Sequence, residues 1–299
     1  MTRDRGLKRL VRARMAETGS SYGAARREIV TWEHRRPTIE EVPEEARQTL
    51  AALRAAIDDA MPGLVVGWYV VGSAALGDHR PGTSDVDFVA LLDRAPDDAE
   101  LEAVREVHRT IGGRPLDGSY ATVEQLRTGN PAELLAHDRA VRRRDPYGAH
   151  AVARHELVSV GVTLAGPPVS SLDVRDEADE LRSWVRDNVE AYWAPWAGGA
   201  MGWNRVGLWA LLPSGVEWGA LGISRMLFTA VTGEVTSKSG AGAWALRHVD
   251  RAHHDVLEDA LRIRDGGFVN PVGALDRRAR LIAYMGDAIR QIRSTAMPR

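Results

Sequence analysis

Residues 70–92 read VVGSAALGDHRPGTSDVDFVALL. An apolar strand runs into Gly72-Ser73, the chain turns through Pro81-Gly82, and a second apolar strand opens with Asp85 and Asp87. Side chains at i and i+2 of a strand share a face, so this spacing sets two carboxylates side by side. Such a pair repels, and its pKa values rise unless a cation lies between them. Magnesium takes oxygen ligands, commonly one or two carboxylates together with phosphate oxygens. Gly72 lets a phosphate approach the backbone, and a helix started there turns its N-terminal amides toward the anion. Ser73 and Ser84 add hydroxyl donors. The stretch therefore points to a metal ion and a triphosphate held between two strand ends.

The flanking sequence extends this unit. LVVGWYVVGS (64–73) is apolar on both faces and predicts a strand buried within a sheet. Upstream, residues 38–63 predict a helix opened by Thr38 or by the acidic run after it. Leu50, Leu53, Ile57 and Met61 recur there at helical spacing, and Pro62-Gly63 ends it. Downstream, residues 97–113 predict a helix ended by Gly112-Gly113, and LDGSYATVEQL (116–126) a third strand. Asp117 opens that strand, placed to take a proton from an acceptor hydroxyl or to share the metal. HELVSVGVTLAGPPV (155–169) holds a helix end or strand before its Gly-Pro-Pro stop. From Ser171 to Arg299 the signals are helical throughout. Strands followed by helices predict an α+β fold, a mixed β-sheet flanked by helices and then an all-α bundle. The expected divisions are a basic helical extension 1–37, a sheet domain 38–170 and a helical domain 171–299.

Bulk composition narrows the classes. The chain has 299 residues, 44% hydrophobic and 27% charged, as expected of a globular protein with room for two domains. A net charge of −2 gives no general case for nucleic-acid binding. No stretch approaches the roughly 18 apolar residues of a membrane span, and the N-terminus has no apolar leader core. The absence of cysteine excludes disulfides and thiolate metal sites and fits a cytoplasmic protein. Residues 1–30 carry eight Lys/Arg against three Asp/Glu. They read as two short helices, either a docking arm or a solvated pair packed on the next domain. His248, His253 and His254 lack the spacing of a zinc motif and read as surface or packed side chains.

The Gly-Ser followed by Asp-x-Asp, in GSAALGDHRPGTSDVD (72–87), resembles the signature of the nucleotidyltransferase superfamily with the polymerase-beta-like fold. Within it the chain is similar to the aminoglycoside adenylyltransferases that modify streptomycin and spectinomycin. The second part of the resemblance is LGISRMLFTAVTGEVTSKSGAGAWALRH (221–248) in the helical half. Together they span roughly residues 45–290. The resemblance implies ATP as co-substrate, Mg2+ held by Asp85, Asp87 and Asp117, and Asp117 as catalytic base where better-known members have a glutamate. It further implies that Gly72, Ser73 and Ser84 meet the triphosphate and that Arg225, Lys238 and Tyr284 contact the nucleotide. Arg suits bidentate contact with phosphate and Lys a point contact. Read without the family, Arg225 is the polar edge of an amphipathic helix and Lys238 a loop lysine. For a cationic acceptor the resemblance points to a tryptophan and acids before the Arg-bearing helix. Trp218 and Glu217 stand there, with Asp187 and Glu190 on the preceding helix.

The reaction so implied is transfer of AMP from ATP to a hydroxyl of a small acceptor, an aminoglycoside or aminocyclitol antibiotic. Two alternatives stay open. The basic residues 1–30 favour an acceptor on a protein or an RNA end, and a non-catalytic nucleotide-binding module is the third reading.

Overall fold

The computed structural model describes residues 5–30, 35–143, 150–268 and 273–295. The chain divides into two compact units, one of Glu33–Glu177 and the other of Met1–Trp32 with Ala178–Arg299. Helices α1 (Arg5–Thr18) and α2 (Tyr22–Val30) open the chain. The sheet unit follows with α3 (Glu44–Ala60), β1 (Val65–Val70), α4 (Gly72–Ala75), β2 (Val86–Leu92) and α5 (Asp98–Thr110). It continues with β3 (Leu116–Thr122), α6 (Val123–Thr128), β4 (Leu134–His137), β5 (Ala140–Arg143), α7 (His150–Val160) and β6 (Val162–Ala165).

Among the described residues the strands form one sheet in the order β5-β4-β3-β2-β1-β6. β2 and β3 run parallel, joined by a crossover through α5, and the other pairs are antiparallel. The sheet is thus mixed, within an α+β fold. β1 and β2 are apolar on both faces because both faces are covered. Trp68, Val70, Phe88, Ala90 and Tyr120 pack with Leu50, Leu53 and Leu101 of α3 and α5. Tyr69, Val71, Val89 and Leu91 pack with Leu126, Leu157 and Val169 on the other face.

Two local readings change. Thr38 opens a short 3-10 turn, Ile39–Glu41, and α3 starts only at Glu44, after Pro43. The third strand stops at Thr122, whose side chain accepts a hydrogen bond from the Gln125 amide and starts α6. Short strands β4 and β5 carry no sequence expectation: β5 buries one residue in four and presents arginines along the sheet edge, a common protection of edge strands.

A buried polar pair lies under α5. His108 is fully buried, its Nε2 is 2.7 Å from the Tyr120 hydroxyl, and its ring stacks on Phe88. Burial pushes the imidazole down from 6.5 to about 4 and pushes the Tyr120 hydroxyl up. The unfolded chain therefore takes a proton near pH 6.5 that the folded chain refuses until about pH 4. Stability from this group is complete above pH 6.5 and is lost as pH falls toward 4, by about 3 kcal/mol in all. Urea denaturation between about pH 7.5 and 4 should show that slope. The double variant His108→Leu/Tyr120→Phe should flatten it.

The helical unit comprises α8 (Ala178–Asn188), a π-helical turn Val189–Trp193, α9 (Ala194–Ala200), α10 (Arg205–Trp209), α11 (Pro213–Thr232), α12 (Lys238–His248), α13 (His254–Arg264) and α14 (Ala274–Ser294). Helix α11 is its axis, buried along most of its length. The basic helices α1 and α2, expected as part of an extension of their own, belong to this unit. Leu7, Leu10, Val11, Ala25 and Ile29 are buried in the same core as Leu221, Leu227 and Trp244. Their charges sit on the opposite helix faces, where Arg12, Arg26 and Arg27 are exposed.

Candidate active site

In the sheet unit the site forms where β1 ends and β2 begins. Gly72 follows β1 with φ +60°, and a Cβ there would stand 2.0 Å from Asp87 Oδ2. Only glycine admits both that backbone and that carboxylate. The Ser73 amide donates to Asp87 Oδ2 at 3.3 Å, and the Val71 amide donates to the Asp87 carbonyl at 3.1 Å. The first turn of α4 is thereby fixed against the second aspartate. Asp85 lies one residue before β2 and is exposed.

Parallel pairing of β2 and β3 sets Asp87 directly opposite Asp117. Residues paired across adjacent strands share a face, so the two carboxylates are neighbours on the face of Val89 and Leu91. Asp117 Oδ2 meets His137 Nδ1 at 2.9 Å, and its Oδ1 accepts from the Asp138 amide at 3.0 Å. Neither His137 nor Asp138 figures in the sequence reading. No local signal marks them, because only strand pairing brings residues twenty positions apart into contact.

The loop between Gly-Ser and Asp-x-Asp is tied to α3. Glu45 accepts from the Gly82 amide at 3.0 Å and from His79 Nε2 at 3.2 Å. The Gly82 amide, then His79, holds the Glu45 carboxyl below the usual range. Ser84 Oγ accepts from the Arg80 amide at 2.8 Å, and Arg114 Nε donates to the Ser84 carbonyl at 3.1 Å. Ser84 thus closes the loop, while its hydroxyl hydrogen remains a donor.

Magnesium suits these residues on donor chemistry: two carboxylates, which are hard oxygen donors, stand at paired positions of adjacent strands, and Gly72 leaves room for one of them where a Cβ would clash. Among the described residues no three acidic or histidine side chains converge as a ready-made cage. The arrangement fits an ion that takes part of its coordination from phosphate.

In the helical unit, Arg225 lies two turns beyond Trp218 on α11, and its Nε donates to the Thr236 carbonyl at 3.1 Å. Lys238 begins α12 with Nζ 5.1 Å above the Trp218 ring. Both cations therefore border the connection between α11 and α12. Trp218 donates from Nε1 to the Tyr192 hydroxyl at 2.9 Å. Beside it, Glu217 pairs with Arg264 at 3.0 Å, and Arg264 Nε donates to Ser239 Oγ at 3.1 Å. Arg264 is another residue without a sequence signal. Glu190 is gripped by Arg293 through two bonds of 2.7 Å, which lowers its pKa. Asp187 is exposed on α8. Tyr284 on α14 is 1% exposed, and its hydroxyl lies 2.6 Å from the buried Ser224 Oγ.

Residues 51–137 match the nucleotidyltransferase domain, and residues 218–287 match the C-terminal domain of aminoglycoside adenylyltransferase. The spectinomycin 9-adenylyltransferases of Staphylococcus aureus strains Mu50 and N315 are each 23% identical over 238 residues, covering 73% of this chain and 84% of theirs. A spectinomycin adenyltransferase from Enterococcus faecialis, solved with ATP and spectinomycin, shares the fold. It has a TM-score of 0.62 and 14% identity over 81% of this chain and 98% of that one. The acidic row of the sheet unit lies within or beside the first matched segment, the cationic residues lie within the second, and the chain is accordingly a nucleotidyltransferase, an adenylyltransferase resembling the aminoglycoside-modifying enzymes.

Proposed function

We propose that the chain transfers AMP from ATP to a hydroxyl of a small aminocyclitol or aminoglycoside, with magnesium. The observation that carries this reading is the register of Asp87 against Asp117, with the Ser73 amide on Asp87. The relatives named for spectinomycin support the acceptor class. Asp85 and Asp87, with Asp117 beside them, would hold the ion. When bound, it would offset the charge of the triphosphate and of the transition state.

The remaining steps fall to this chain's own side chains. Asp117 accepts the proton of the acceptor hydroxyl. The acceptor oxygen forms a bond to the α-phosphorus as the bond from that phosphorus to the bridging oxygen breaks, and pyrophosphate leaves. Gly72 and Ser73 present backbone and hydroxyl donors to the phosphates, and Ser84 adds a third. Arg225 and Lys238 are the cations assigned to ATP. Glu217 and Trp218, with Asp187 and Glu190, are assigned to the acceptor.

Incubation with α-labelled ATP, magnesium and a panel of aminocyclitols and aminoglycosides should give one labelled acceptor and stoichiometric pyrophosphate. Label on no acceptor, together with an Asp87→Ala variant that binds Mg-ATP as well as the parent, would overturn the assignment. Label on RNA or on protein instead would move the acceptor to a macromolecule.

A further inference from the structure

We propose that His137, with the Asp138 amide, is the positioning device for Asp117, so that the β4–β5 turn sets the geometry of proton transfer. This rests on Asp117 being the base.

Three adjacent strands contribute one row at the sheet end. β2 supplies Asp87, β3 supplies Asp117 opposite it, and β4 continues antiparallel with Gly118 against Ala136. The next step of that register sets Asp117 against His137. His137 in turn pairs with Ala140, so Asp138 and Arg139 alone make the turn into β5. A two-residue hairpin turn of the kind that suits sheet twist starts with a residue at positive φ. Asp138 supplies it at φ +54°. The strained turn aims a backbone N–H at Asp117 Oδ1, while the imidazole of His137 reaches Oδ2. An ionised carboxylate only accepts hydrogen bonds, so His137 carries its hydrogen on Nδ1.

Each Asp117 oxygen thus has one donor from the same turn and retains lone-pair capacity for a substrate proton. A short carboxylate tied at both oxygens cannot rotate about its terminal bond. Fixing that plane matters because misplacement by about 1 Å can cost roughly 10²-fold in rate. His137 does not serve as packing support: its side chain is 76% exposed, against 28% for Asp117. Loss of the ring removes little packing.

The test is steady-state kinetics on the full chain with ATP and the aminocyclitol or aminoglycoside of the panel that the parent labels. His137→Ala should lower kcat roughly 10- to 100-fold, leave KM for ATP within about two-fold, and leave the melting temperature nearly unchanged. His137→Asn, which restores a short side-chain donor, should recover kcat to within roughly three-fold of the parent. An alanine variant within two-fold of the parent overturns the proposal. So does a loss confined to KM, or an asparagine variant no better than alanine. Asp117→Asn, measured in parallel, separates the two levels. If it is inactive while His137→Ala is fully active, only the positioning role falls. If Asp117→Asn stays active, or the parent transfers nothing, the reading beneath falls and this inference with it.

Discussion

Replacing Asp87 by asparagine is expected to lower adenylyl transfer at least about 10³-fold, close to 4 kcal/mol of transition-state stabilisation. The variant should nevertheless fold. Asparagine has nearly the same shape, and its Oδ1 can still accept from the Ser73 amide, which lies 3.3 Å from Asp87 Oδ2. What disappears is one negative charge directly opposite Asp117. Removing one of two adjacent like charges relieves repulsion, so the melting temperature should hold or rise slightly. Pyrophosphate release at saturating ATP gives the rate, and a magnesium titration gives the cause. The variant should need far more magnesium for its residual activity. Activity within ten-fold of the parent at the parent's magnesium requirement would remove Asp87 from the proposed metal site.

The second large effect is expected from a single methyl group. Gly72→Ala sets a Cβ 2.0 Å from Asp87 Oδ2, 2.3 Å from its Cγ and 2.5 Å from its Cβ, on a backbone at φ +60°. Left-handed backbone costs a non-glycine residue roughly 1–2 kcal/mol. The contact must also be relieved by driving the Asp87 side chain aside, since Val71 and Asp87 are joined by a backbone hydrogen bond of 3.1 Å. Stability of the sheet unit should drop by about 2–3 kcal/mol, a melting shift of roughly 5–10 °C. Activity should fall about as far as in Asp87→Asn, because the same carboxylate is displaced. Gly77→Ala is the comparison. Its φ is +69° with nothing within 4 Å of the added carbon, so only the backbone cost applies. Equal behaviour of the two variants, in melting and in rate, would show that strain rather than the Asp87 contact makes Gly72 necessary.

Much of this site can be read from residues 70–92, and the reason is local. Apolar residues on both faces of β1 and β2 require a covered sheet, and Asp87 lies on β2 with Asp85 one residue ahead of its start. Asp117 is legible as a carboxylate opening a strand. That it stands opposite Asp87 depends on which strand β3 joins, in what direction and at what register, and no short window encodes that. His137 lies a further step away, on a four-residue strand whose apolar pattern is too brief to read. Tyr284 is a different case: an aromatic in a helix is equally suited to a ligand and to a core, and its buried contact with Ser224 has no signature in the sequence. The start of α6 was legible in principle, since Thr122 and Gln125 form a capping box.

The origin of the helical unit in two separate stretches of chain has a consequence for biosynthesis. Helices α1 and α2 leave the ribosome ahead of the sheet unit, yet the residues that cover Leu10, Val11 and Ile29 belong to helices made more than 150 residues later. Glu33–Glu177 has its partners within itself and can collapse while translation continues. The nascent chain must therefore carry two uncovered amphipathic helices past an already folded neighbour and keep them from aggregating until α11 arrives to cover α2, and α12 and α14 to cover α1.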